Sequence, residues 1–214
     1  MKLYGSSYSP FVRKVMAYAI ERGIALEVVP IRFRDQDPGF RAASPFGKMP
    51  ALVDGDFGIS DSSAIIAYLE AKFPDGGLIP TDAEARARTI WFEEYADGEL
   101  GEAVFAMFFH RITLPKFVGQ PGDAAIADAF ERDRFPALVD YLESVAPAEG
   151  FLVGDRLTLA DIAVASPFVN FRHAGVRLDA ARWPRATAYL ARVHDRPSFA
   201  PIIAKETATL ARMG

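Results

Sequence analysis

The residues best suited to chemistry in this 214-residue chain lie mostly in its first third. Asp61-Ser62 stands where a helix begins, because Ile65, Tyr68, Leu69 and Phe73 follow at helical spacing. The free N–H groups of a first helical turn, with the positive end of the helix dipole, make such a start an anion site. A plain cap would use the same two residue types. Ser9-Pro10 opens another helix, with Ser9 as N-cap and Pro10 as the first helical residue, where a missing N–H costs nothing. Ser6, Ser7 and Tyr8 crowd the same loop.

The chain has no cysteine. Disulfides, thiolate metal sites, Fe–S clusters and a protein thiol nucleophile are therefore excluded, and sulfur chemistry requires a substrate that brings the sulfur. His110, His173 and His194 show no metal-ligand spacing and read as satisfied or surface histidines, so no metal is expected. Phe105, Met107, Phe108 and Phe109 form an aromatic run, and Phe168, Phe171 and Arg172 close a second apolar stretch. Such runs build cores, and they also suit the wall of a pocket for an apolar ligand.

The elements that must position these groups are legible in the periodicity. A strand at Lys2–Gly5 precedes a helix in which Phe11, Val12, Val15, Met16, Ala19 and Ile20 make one stripe, ended by Gly23. Leu26–Ile31 is a second strand, so the first two strands are parallel with a right-handed crossover. Residues 33–44 are polar and irregular, with one short helical turn. Ala51–Asp54 and Phe57–Ile59 flank Asp54-Gly55-Asp56 as a hairpin, and a helix from Ser60-Asp61-Ser62 closes the order βαβ, loop, ββα. The stretch FPDGGLIPTD, residues 73–82, is a turn-rich linker.

Beyond it everything is helical. Thr81–Ile112 reads as one long helix bent at Gly98 and Gly101, and Asp123–Val145 as another kinked at Pro136. Leu159–Phe171 is apolar all round and therefore central, opened by a Thr158–Asp161 capping box and interrupted at Pro167. Arg182–Val193 and Pro197–Arg212 complete the bundle. The expected domains are residues 1–76 and 83–214.

Charge agrees with this division. Residues 1–78 hold nine basic and nine acidic side chains, and residues 79–214 fifteen and nineteen, so the net −4 falls in the helical part. An acidic chain argues against general nucleic-acid binding. No apolar run nears the ~18 residues of a membrane span, and the opening MKLYGSSYSP lacks the apolar core of a signal peptide. The cytoplasm is the expected compartment.

Four stretches resemble the cytosolic glutathione transferases: YSPFVRKV at 8–15, GKMPALVDGD at 47–56, SDSSAIIAYL at 60–69 and FLVGDRLTLADIAVA at 151–165. The resemblance covers nearly the whole chain. It implies a thioredoxin-like α/β N-terminal domain with a mixed four-stranded sheet, an all-α C-terminal bundle, glutathione as cosubstrate, a role in detoxification and a homodimer. It implies further that Ser62 holds the γ-glutamyl carboxylate, that Asp61 faces the ammonium, and that Lys48 approaches the glycyl carboxylate. The family more often has Glu where Asp61 stands. Met49-Pro50 resembles the family's cis-proline turn, whose backbone edge pairs with the cysteinyl residue of glutathione as an added strand.

Ser9 matches the serine of plant tau-class enzymes, which implies that its hydroxyl donates to the glutathione thiolate. Lowering a thiol pKa by ~2 from ~8.5 takes ~2.7 kcal/mol. A hydrogen bond to a charged group supplies ~1.5–3 kcal/mol and a helix start ~0.3–1, so no protein base is required. Ser6, Ser7 and Tyr8 remain alternatives for the same role. An electrophile pocket is expected from Tyr8, Phe11, Phe105, Phe108, Phe109, Phe168 and Arg172. Two other readings stay open: a glutathione-dependent isomerase resembling zeta-class members, and a glutathione- or ligand-binding protein with little turnover.

Overall fold

The computed structural model describes residues 1–32 and 34–213. The chain divides into two compact units, Met1–Ile79 and Pro80–Gly214.

In the first unit the order is β1 (Lys2–Tyr4), α1 (Pro10–Glu21), β2 (Glu27–Val29), α2 (Pro38–Ala43), β3 (Ala51–Asp54), β4 (Phe57–Ser60) and α3 (Ser62–Lys72). The sheet runs β2-β1-β3-β4. β1 is parallel to β2 and antiparallel to β3, with Leu3 opposite Val28 on one side and Leu52 on the other. This is the mixed, thioredoxin-like sheet that the sequence implied. The polar stretch 33–44 holds a six-residue helix, α2, capped by the Asp37 carboxylate on the Phe40 N–H at 2.9 Å. Phe33 lies outside the described residues.

Alternation along the strands divides the core. Tyr4, Ala51 and Val53 face α2, where Phe40 and Ala43 cover them. Leu3 and Leu52 face the other way and are fully buried, as are Val12 and Val15 of α1 and Ile65, Ile66 and Leu69 of α3. At Gly5 a Cβ would stand 2.5 Å from a Val12 methyl, so glycine lets β1 turn directly into α1. α1 and α3 are also joined by polar contacts. The Tyr18 hydroxyl donates to Glu70 Oε1 at 2.9 Å, and the same oxygen accepts from Arg22 and from the Leu78 N–H. Burial and that carboxylate push the Tyr18 phenol well above its ordinary pKa.

The second unit is helical. α4 (Ala83–Tyr95) is capped by Asp82 and continues through a π-helical turn, Ala96–Leu100, into α5 (Gly101–Val104) and a π-helical stretch, Phe105–Val118. The helix expected to end at Ile112 thus runs six residues further, and the bend expected at Gly98 and Gly101 is a change of helix type. α6 (Ala124–Asp133) and α7 (Phe135–Val145) are separate helices, because Pro136 occupies the first turn of α7 instead of kinking one longer helix.

α8 (Leu159–His173), α9 (Pro184–His194) and α10 (Ala200–Arg212) complete the unit. Residues Leu159 to Phe171 of α8 are all buried. Pro167 does not interrupt this helix. An interior proline costs ~3 kcal/mol or more, whereas burying each large apolar side chain contributes ~1.5–3, and α8 buries several. At its start the Asp161 carboxylate accepts from the N–H groups of Leu152 (2.8 Å) and Thr158 (2.9 Å) and from the Tyr189 hydroxyl (2.9 Å). Burial raises the Asp161 pKa while these donors oppose the rise. Among the described residues no helix is long and apolar enough to cross a membrane.

Candidate functional site

Three backbone features of the first unit make up its candidate site. Ser9 caps α1: its Oγ accepts from the Val12 N–H at 3.5 Å, and its own N–H donates to the Ser6 carbonyl at 2.9 Å. The capping bond is long, so the hydroxyl is held only loosely by its helix. Ser6, Ser7, Tyr8 and Phe11 are half-buried, as Ser9 is, on the same loop and first turn.

The second feature is the turn before β3. Met49-Pro50 is cis. Among the described residues, neither the N–H nor the C=O of Met49 takes part in a hydrogen bond, although the neighbouring β3 is paired on both sides. The loop leading there is fixed by a side chain that sequence reasoning missed. Ser44, 1% exposed, accepts the Lys48 N–H at 3.0 Å and donates to the Lys48 carbonyl at 2.7 Å. A Ser-Pro pair, Ser44-Pro45, signals a turn, but nothing local says which backbone groups the hydroxyl reaches. Gly47, at φ +63°, lies under the Arg41 guanidinium, and a side chain there would displace it. Lys48 is exposed.

The third feature is the start of α3. Asp61 is its N-cap: Oδ1 accepts from the N–H groups of Ser63 (2.9 Å) and Ala64 (3.1 Å). Its φ of +82° is a conformation that L-residues seldom adopt, typically maintained at functional sites by surrounding structure. Ser62, the first helical residue, is 2% exposed, and none of the described residues hydrogen-bonds its hydroxyl. The Asp61 N–H donates to the Pro50 carbonyl at 3.3 Å, which ties this helix start to the proline turn. The Asp61 carboxylate, the Ser62 hydroxyl at the helix start and an unpaired strand edge thus lie side by side. Together they can take a zwitterionic, extended peptide.

In the second unit, Phe105 is exposed and stacks on the half-buried Phe109, ring centroids 4.7 Å apart and planes 14° from parallel. Phe108 and Phe168 are buried, and Phe168 packs edge-on against Phe171 at 5.3 Å. Arg172 is exposed at the end of α8. The histidines bind within the protein: His110 Nδ1 accepts from the Asp123 N–H, His173 pairs with Glu206 at 3.0 Å, and His194 lies 2.9 Å from the Ala165 carbonyl. Among the described residues no three His, Asp or Glu side chains could jointly hold a metal ion.

A thioredoxin-like domain with an unpaired strand edge at a cis-proline, followed by a helical domain, defines a class of two-domain proteins. Residues 3–77 match the family described as glutathione S-transferase, N-terminal domain, and residues 123–192 the one described as glutathione S-transferase, C-terminal domain. Glutathione S-transferase 3 of Zea mays is 31% identical over 211 residues, spanning 95% of this chain and 93% of the relative. A glutathione S-transferase from Rhodospirillum rubrum superposes with a TM-score of 0.83 at 28% identity, covering 94% of this chain and 90% of the other. Another, from Methylobacterium radiotolerans in complex with glutathione sulfonate, gives 0.77 at 28% identity, covering 94% and 93%. The chain belongs to the glutathione S-transferase family.

Proposed function

We propose that this chain transfers the thiolate of glutathione to small hydrophobic electrophiles. The observation that carries the reading is the juxtaposition of the unpaired Met49 edge with the Asp61–Ser62 helix start, joined through the Pro50 carbonyl. In this reading the Met49 N–H and C=O pair with the cysteinyl residue, and Pro50 holds that edge open. The Ser62 hydroxyl and N–H take the γ-glutamyl carboxylate, and Asp61 Oδ2 takes its ammonium. Lys48 takes the glycyl carboxylate.

The cysteinyl sulfur then lies near the start of α1. Ser9 donates its hydroxyl proton in a hydrogen bond to the thiolate, and the thiol proton leaves to solvent. The thiolate lone pair forms the new S–C bond, with loss of a leaving group, or by addition to a polarised double bond whose resulting carbanion takes a proton from solvent. Binding supplies proximity and the donors supply charge stabilisation. Tyr8 and Phe11 of the first unit and Phe105, Phe108, Phe109, Phe168 and Arg172 of the second are the residues proposed to serve the electrophile.

A homodimer in the cytoplasm is the proposed state. Phe46, 86% exposed beside the glutathione loop, supports a second copy, as does an open groove of about 330 Å³ lined by Trp91, Tyr95, Leu138 and Tyr141. The cysteine-free composition supports the compartment.

The test is retention on immobilised glutathione together with conjugation of a chlorinated nitrobenzene, followed by absorbance. Retention without turnover would favour a carrier, and no retention would refute the site.

A further inference from the structure

Behind the first turn of α3 lies a buried amine. Lys14 projects from α1, is 1% exposed, and its Nζ donates to the Ser63 Oγ at 3.3 Å, one of its contacts. Lysine is almost never buried this completely unless it is paired. Ser63 directly follows Ser62, and its N–H is one of the two that Asp61 caps.

A cation near this turn favours the carboxylate it is proposed to receive. Asp61 already places one carboxylate on the Ser63 and Ala64 N–H groups. If the same turn receives a second carboxylate at Ser62, two negative charges share one helix end, set against the ligand's ammonium and a dipole of only about +0.5 charge. Like charges so close repel. A cation inside the protein relieves this, and its burial keeps salt from screening it. Lys14 and Ser9 stand on the same helix, so the contact with Ser63 also sets the α3 start relative to the α1 start.

We propose that Lys14 is a positioning and charge-balancing residue for the γ-glutamyl carboxylate of glutathione, acting through Ser63. The proposal rests on the reading of the α3 start as the glutathione anchor.

Calorimetric titration of the full chain with two ligands tests it. One is glutathione. The other is 4-aminobutyryl-cysteinylglycine, which keeps the ammonium and lacks only the γ-glutamyl carboxylate. Lys14→Met should weaken glutathione roughly ten-fold and the analogue by less than about two-fold, since only the charged partner is lost. Lys14→Arg should restore most of the preference. Ser63→Ala removes the acceptor and should give the same selective loss, which covers the case in which Lys14→Met does not fold. Parallel losses for both ligands would mean a packing role and overturn the proposal, as would unchanged glutathione affinity. No saturation of the parent chain by glutathione would instead overturn the transferase reading, and this proposal with it.

Discussion

The backbone N–H of Asp61 and the carbonyl of Pro50 share a hydrogen bond of 3.3 Å. Asp61 caps α3 while Pro50 begins the approach to β3, so this bond, beside the Ala51–Ser60 pairing of β3 with β4, holds the helix start against the strand edge. Asp61 is held at φ +82° in the process. A backbone in such a region costs of order 1–3 kcal/mol, sustained by the structure around it.

On the proposed reading of the site, Asp61 trades stability for binding. Asp61→Gly relieves the strained φ and loses only a few tenths of a kcal/mol of capping. Its Tm should not fall below that of the parent, while glutathione affinity drops about ten-fold or more, the scale of a lost charged hydrogen bond. Differential scanning calorimetry and glutathione titration check the two halves. A lowered Tm with intact affinity would make Asp61 a cap and nothing else.

Ser9→Ala separates activation from capping. The Val12–Ser9 capping bond is 3.5 Å long, so stability should change by only about 0.5 kcal/mol, the low end for a cap. The ultraviolet titration of bound thiolate should move upward by about 1–2 pH units. An unmoved titration would transfer the role to Ser6, Ser7 or Tyr8.

Ser44→Ala should unfasten the loop that carries Lys48 and Met49. It strands the Lys48 N–H and carbonyl, which Ser44 now serves at 3.0 and 2.7 Å. Lys48 is exposed and water recovers part of that loss, so about 2 kcal/mol of stability should go. The KM for glutathione should rise with kcat nearly unchanged, because the substitution affects binding before chemistry. Urea denaturation and steady-state kinetics test this.

The acid limb of stability should depend on Asp54. Its carboxylate accepts from Lys72 and, at 2.7 Å, from the Tyr68 hydroxyl, and these two donors hold its pKa below the usual carboxylate range, Lys72 most. A pKa lowered by folding stabilises the native state above the unfolded value of ~3.9 and loses that contribution as pH falls through the folded value. Asp54→Asn should be less stable than the parent at pH 6, and the gap should close once pH has fallen through the lowered folded value. A gap that persists there would show that the asparagine amide disturbs packing.

Local rules made much of the fold legible. Helix starts at Ser9, Asp61 and Thr158 were readable because a cap and an apolar stripe lie within a few neighbouring residues. The Asp54–Gly55–Asp56 hairpin was readable for the same reason. Proline was less informative. Pro136 begins a new helix, whereas Pro115 and Pro167 lie inside continuing ones. The missing N–H is identical in all three, and surrounding packing decides whether its cost is borne. The π-helical stretches around Gly98 and after Val104 left no periodic signature to find.

The candidate site divides in the same way. By itself the amino-acid sequence determined the residue types at the helix starts, the proline turn, the lack of any protein thiol and, through four motifs, the resemblance to one family. These are contiguous patterns, and short-range chemistry is written contiguously. Only the tertiary structure decided that Ser44 clasps Lys48, that the Pro50 carbonyl meets Asp61, and that Lys14 turns inward to Ser63, 49 positions away. A lysine in a helical pattern reads as solvated surface, and its burial depends on which helix packs against it. That choice is made by the whole core at once and not by any neighbour in the chain.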